Sequence, residues 1–179
     1  MSAKAIREAS GKDLINRHLS KDTAVAKCRF VAVDQQTDLV DLVDSHPWLK
    51  TDKLVVKPDQ LIKRRGKLGL IAVNKDFVDV KKWIAERMNK DQKVGEAVGK
   101  LRSFIIEPFV PHKDNEEIDV DFIFNVLEIN PLVVTDKEIY VLDLAAKLDS
   151  TPILFGNRCI ERANGLCPFG RDAYRRSLT

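Results

Sequence analysis

The sequence predicts a mixed α/β (α+β) fold arranged as two lobes. Three observations lead there. Short apolar runs suited to strands recur along the chain, among them CRFVAVD (28–34), KLVVK (53–57), LGLIAVN (68–74), RSFIIEPFV (102–110) and EIYVLDLAAKLD (138–149). Stretches of helical spacing lie between them, the clearest being DFVDVKKWIAERMN (76–89). A polar break, PHKDNEE (111–117), then interrupts the pattern. These divide the chain into an N-terminal lobe (1–112), a second lobe (113–149) and an irregular tail (150–179).

Taken in order, residues 2–18 read as a helix with a loose apolar stripe (Ala3, Ile6, Ala9, Leu14, Ile15), which Gly11 weakens. Residues 28–34 read as a strand. In TDLVDLVDSHPW, Thr37 is a plausible N-cap and Pro47 limits the helix. The runs 53–57 and 68–74 read as an antiparallel pair joined by a basic loop, with Pro58 ending the first. In 76–89, Asp76 suits an N-cap, and Phe77, Val80, Trp83, Ile84 and Arg87 share one side. Ile118, Val120, Phe122, Phe124 and Val126 alternate, but the apolar phase then shifts to Leu127 and Ile129. A shift of that kind marks a bulge or two joined elements. Residues 127–144, split by Thr135–Lys137, read as a β-hairpin. The tail contains Pro152, Gly156, Gly165, Pro168 and Gly170 and has poor periodicity.

Bulk properties exclude several classes. With 179 residues, 44% of them hydrophobic, the chain can bury a sizeable core. The net charge is only +3, from 30 basic and 27 acidic residues, so an anion site is expected to be local. Nucleic-acid binding through residues 63–67 is disfavoured on the same ground. No apolar run approaches the ~20 residues a membrane-spanning helix needs. The polar start, MSAKAIREASGKDL, lacks the apolar segment of a secretion signal. Cys28, Cys159 and Cys167 are odd in number and form no CxxC, which reads as free thiols in a reducing compartment. The three histidines lie far from them in sequence, so a zinc site is not expected.

Four features carry chemistry. Lys57 ends an apolar strand, where an ammonium can reach phosphate; a solvated strand-end lysine is the better reading on local sequence. Arg65 and Gly66 sit among Lys63, Arg64 and Lys67. Glycine lets backbone approach an anion, though a solvated hairpin tip has the same composition. Glu107-Pro108-Phe109-Val110 ends a strand in a proline-fixed segment, suited equally to an adenine edge or to a simple turn. Glu128, Asn130 and Asp143 place oxygens within apolar strands. Burying them is costly unless they are paired, so they read as hard-cation ligands for Mg2+, as a hydrogen-bonded core pair, or as an Asp143–Lys147 pair.

The stretches HPWLKTDKLVVKPDQLIKRRGKLGL, FIIEPFVPH, LEINPLVV and YVLDLAAK closely resemble the N-terminal ATP-grasp region of the ATP-citrate lyase (ATP-citrate synthase) family. The likeness covers about residues 1–118 and 124–149, with a fainter one at PFGRDAY. It implies an ATP-grasp-like two-lobe fold. It implies ATP phosphates on Lys57, Arg65 and Gly66, adenine on the backbone of Pro108 and Val110, ribose on Glu117, and Mg2+ on Asn130 and Asp143. The activity it implies is ATP- and coenzyme-A-dependent cleavage of citrate to acetyl-CoA and oxaloacetate, in the cytosol, for lipid synthesis. The family's members are several times longer. In this chain no citrate-binding domain, phospho-histidine or coenzyme-A domain is expected, and no catalytic residue is assigned. EEIDVDFIFNVLEINP joins segments that the family separates, so the second lobe is expected to be incomplete. The alternative to an ATP-binding half of that reaction is a non-catalytic module, a shortened or degenerate copy that docks onto full-length subunits.

Overall fold

In a computed structural model of the chain, residues 3–121 and 127–149 are described. The chain divides into a unit of Ala5–Leu148 and a second of Met1–Lys4 with Asp149–Thr179. The expected alternation of Phe122, Phe124 and Val126 and the tail 150–179 lie outside the described residues.

The first expected helix is instead a short strand followed by a helix. Strand β1 (Ala3–Ile6) precedes α1 (Glu8–His18). The start therefore contributes Ala3 and Ile6 to a sheet, not to a helical stripe. Leu14 is exposed, and the buried side of α1 carries Glu8, Ala9, Gly11 and Lys12. Gly11 has a packing reason. A Cβ there would lie 2.3 Å from Leu144 Cδ2, so the glycine lets the helix approach a strand closely.

Strand β2 (Val31–Asp34) is followed by α2 (Leu39–Ser45) and α3 (Trp48–Thr51). The N-cap of α2 is Asp38, whose side chain accepts the Val40 N–H. Thr37 bonds Asp34 in the preceding turn instead. Strand β3 (Leu54–Pro58) pairs antiparallel with β4 (Ala72–Lys75), as the sequence led us to expect. Strand β4 starts later than LGLIAVN suggests because residues 63–69 wind into tight turns. Helix α4 (Phe77–Arg87) buries Phe77, Val80 and Ile84. Asp76 occupies its N-cap without capping; its carboxylate meets Lys53. A two-stranded ribbon that periodicity did not reveal, β5 (Asp91–Val94) and β6 (Ala97–Lys100), precedes β7 (Ser103–Pro108).

One sheet runs β2-β7-β3-β4. Alternation along its strands sorts the side chains. Leu54, Val56, Phe104 and Ile106 face a core shared with Val43, Leu49, Val80 and Ile84 of the helices. Val55, Lys57, Ile105 and Glu107 take the opposite face. The register sets Lys57 beside Ile105 and Val55 beside Glu107, so Lys57 and Glu107 are diagonal neighbours.

In the second sheet the central strand is β9 (Leu127–Val134). Strand β8 (Glu117–Asp121) pairs with it, and β10 (Ile139–Val141) and β11 (Leu144–Asp149) also pair antiparallel with it. Strand β8 ends at Asp121 and β9 begins at Leu127, so the phase change near Val126 lies outside the described residues. The hairpin expected at Thr135–Lys137 is present, with Thr135 and Glu138 bonded across its turn. The strand read over 138–149 is broken at Leu142–Asp143. Leu142 lies opposite Pro131 and donates its N–H to the Pro131 carbonyl. Proline has no N–H to return, so the Leu142 carbonyl is left for other donors.

Candidate nucleotide site

A cavity of about 480 Å³, within the range of small-molecule sites, opens beside the second face of the first sheet. Val55, Ile71 and Val73 form an apolar wall, Pro108–Val110 an edge, and Tyr140–Asp143 the side opposite. Of the residues singled out from sequence, Lys57, Pro108, Val110, Glu117 and Asp143 line this cavity. Arg65, Gly66 and Asn130 are not among its lining residues. Gly66 is exposed, and a Cβ on it would come within 3.9 Å of Ile71, which does line it. Asn130 is exposed, and its neighbour Pro131 lines the cavity.

The basic loop resolves into different roles. Lys63, Arg64 and Lys67 are exposed, whereas Arg65 is buried. The Arg65 guanidinium donates to Pro58 O at 2.7 Å, to Glu8 Oε2 at 2.6 Å and to Asp143 Oδ1 at 2.5 Å. Lys57, only 4% exposed, places Nζ 2.6 Å from Glu8 Oε1, 3.1 Å from Glu107 Oε2 and 2.7 Å from the freed Leu142 carbonyl. A third cation joins them. Lys12, fully buried, meets Glu8 Oε1 at 2.8 Å, Leu142 O at 2.9 Å and the Glu107 carboxylate. At Glu8 Oε1 both ammonium contacts are ion pairs rather than aligned hydrogen bonds.

Three cations, Lys12, Lys57 and Arg65, therefore balance three carboxylates, Glu8, Glu107 and Asp143. Such burial is tolerable only because each charge is paired. Burial pushes the Glu8 carboxyl up, but Lys57, Lys12 and Arg65 outweigh it and hold it well below the usual range. For Lys12, burial favours the neutral amine, and Glu107 and Glu8 reverse this and raise it. Arg65 is raised likewise by Glu8 and Asp143 against the pull of burial.

The sequence reading missed Glu8 and Lys12. Both lie on α1 at the spacing of an ordinary surface pair, and only tertiary packing turns them inward. Asp59 fixes that orientation: its Oδ1 accepts the Ala9 N–H in the first turn of α1 at 3.2 Å, although Arg7, the N-cap residue, offers no cap. Also in the cavity lining, His112 bridges Val110 O, 2.6 Å from Nδ1, and Glu117 Oε1, 2.8 Å from Nε2. Both neighbours are acceptors, so the protonated ring can donate to both. Desolvation opposes that charge, but the bond to Glu117, the Val110 carbonyl and Glu116 raise the imidazole above its ordinary value. Cys28, a free half-buried thiol, also lines the cavity; burial pushes it up. Among the described residues no cluster of His, Cys, Asp or Glu has the make-up of a metal site, and no helix is long and apolar enough to cross a membrane.

An apolar cavity flanked by two antiparallel sheets, with the buried Lys57 in its lining, suits an ATP-grasp domain. A family model described as the ATP-citrate synthase ATP-grasp domain matches residues 2–121, and the chain belongs to that family. It is 34% identical to bovine ATP-citrate synthase over 258 residues, which take in 97% of this chain and 23% of the bovine protein. ATP-citrate synthase alpha chain protein 2 of Arabidopsis thaliana is 43% identical over 124 residues, covering 69% of this chain and 29% of that one. The solved ATP citrate lyase of Methanothrix soehngenii, in complex with citrate and coenzyme A, superposes with a TM-score of 0.70 at 27% identity, over 90% of this chain and 53% of that one. The chain thus spans about a quarter of the length of the curated relatives it matches. Because the bovine match runs over 258 residues and this chain has 179, the relative carries further residues within the matched span.

Proposed function

We propose that the cavity binds ATP and that the chain supplies the ATP-binding part of the family's reaction. The observation carrying this reading is that Lys57, Pro108, Val110, Glu117 and Asp143, far apart in sequence, line one cavity. Its apolar wall and the Pro108–Val110 edge suit an adenine. Glu117 in the lining offers an acceptor for a ribose hydroxyl, Lys57 in the lining offers an ammonium to the phosphates, and Arg65 and Gly66 are assigned to the phosphates by the family resemblance. Asn130 and Asp143 offer hard oxygens suited to Mg2+, which commonly completes its shell with phosphate and water. When bound, the ion would neutralise phosphate charge. The chain's own part is to orient the nucleotide and shield its phosphates from water, the main tasks in phosphoryl transfer. In this proposal the lobes are 1–112 and 113–149.

The Arg65–Asp143 pair adds a condition. Arg65 is already neutralised, so it meets a phosphate fully only when Asp143 turns to another cation. Calorimetry of ATP binding with and without Mg2+ tests this. The wild type should bind more tightly with Mg2+. In Asp143→Ala the Mg2+-dependent gain should vanish and Mg2+-free binding should strengthen. A folded wild type that takes up no ATP removes the reading.

Cleavage of citrate to acetyl-CoA and oxaloacetate in the cytosol belongs to this proposal only with further subunits. Names such as probable ATP-citrate synthase subunit 2 in Schizosaccharomyces pombe describe proteins with subunits. The second reading is a nucleotide-binding module that docks onto full-length subunits. ATP binding without citrate- and coenzyme-A-dependent ADP release by the isolated chain favours it.

A further inference from the structure

The charge cluster behind the cavity contains one cation that cannot turn toward a ligand. Lys57 lines the cavity; Lys12 does not, and no part of it is exposed. The two lysines share the same partners: Glu8, Glu107 and the Leu142 carbonyl. If Lys57 turned to an anion, Glu8 would keep Lys12 and Arg65, and Glu107 would keep Lys12. Without Lys12, Glu107 would have no cation but Lys57, and moving Lys57 would strand a buried carboxylate.

We propose that Lys12 is a positioning residue of the nucleotide site: the resident counter-ion of Glu8 and Glu107 that frees Lys57 for a nucleotide's phosphates. This rests on the ATP-binding reading above. The geometry supports it at three points. Asp59 anchors the first turn of α1. Glu8 and Lys12, one helical turn apart, pair with each other at 2.8 Å. Pro131 leaves the Leu142 carbonyl free for both ammonium groups, so it stays satisfied when one departs.

The test compares the affinities of the full chain for ATP and for adenosine, which lacks the phosphates. Lys12→Met shifts the cluster from neutral to one excess negative charge and obliges Lys57 to stay. ATP affinity should fall about tenfold or more, a buried charge acting at short range, while adenosine affinity is unchanged. The double variant Lys12→Met/Glu107→Gln removes one charge of each sign, leaving Lys57 and Arg65 against Glu8 and Asp143, so that Glu8 keeps Arg65 when Lys57 turns to a phosphate. It should recover most of the lost ATP affinity, which a purely packing role for Lys12 would not give. Equal losses for ATP and adenosine, an unchanged Lys12→Met, or a double variant no better than the single one overturns the proposal. If Lys12→Met does not fold, the double variant decides: folding with near-wild-type ATP affinity supports the proposal, and weak ATP binding with intact adenosine binding overturns it. A wild type that binds neither ligand overturns the ATP-binding reading itself, a result distinct from all of these.

Discussion

Lys57→Ala should destabilise the free protein, before any ligand is considered. A lysine waiting in solvent for a phosphate would cost nothing to remove. This one is 4% exposed and bridges two carboxylates and a carbonyl. Breaking a buried ion pair by removing one partner costs about 3–5 kcal/mol. Lys12 stays on both carboxylates and on the carbonyl, so the lower end, about 3 kcal/mol, is expected. For a chain of this size that corresponds to a fall in melting temperature of roughly 6–12 °C. Thermal unfolding followed by circular dichroism, without nucleotide, measures it. The control is Lys53→Ala, whose pair with Asp76 is largely exposed; it should cost under about 1 kcal/mol. Equal, small shifts for both variants would refute the buried cluster and return Lys57 to solvent.

Phe104→Ala should cost about 3–5 kcal/mol in urea unfolding, since Phe104 is fully buried and stacks edge-to-face on Trp83 at 5.7 Å; a loss under about 1 kcal/mol would place it outside the core. His112 should contribute stability below the ordinary histidine value of 6.5 and lose it as pH rises through its raised pKa. The melting-temperature difference between wild type and His112→Gln should therefore shrink with rising pH, whereas a constant difference would mean that the ring titrates alike in the folded and unfolded chain. Burial raises the Asp59 carboxyl, the reverse of the usual shift for a paired acid. Its ionisation weakens the fold as pH climbs from the ordinary 3.8 through the raised value, and Asp59→Asn should flatten that part of the stability profile. An unaltered profile in that variant would mean that Asp59 titrates alike in the folded and unfolded chain.

Much of the fold was legible because local pattern and tertiary role agreed. The run DFVDVKKWIAERMN has helical spacing and does pack Phe77, Val80 and Ile84 inward. KLVVK reads as a strand, and its register puts Leu54 and Val56 in the core and Lys57 on the cavity face. Reading failed where tertiary contact outweighed local signal. AKAI carries apolar residues that fit a helix and a strand equally, and sheet pairing decides. Residues 63–69 look like a hairpin tip of four equivalent cations, but the turns bury Arg65 and leave Lys63, Arg64 and Lys67 exposed. Glu8 and Lys12 form an i,i+4 pair of the commonest surface kind, and no local feature distinguishes them from a solvated one. The motifs around Lys57, Pro108 and Asp143 therefore point to a cavity, while the residues that neutralise its cations could be found only in three dimensions.

The central claim is that one cavity, between Val55–Val73 and Tyr140–Asp143, receives the adenine nucleotide. Photolabelling of the folded full chain with 8-azido-ATP, followed by peptide mass spectrometry, tests it most directly. Label on peptides containing Cys28–Arg29, Phe109–His112 or Tyr140–Asp143, competed away by ATP, is the predicted result. Label confined to peptides remote from this cavity, or label that ATP does not displace, would contradict the account.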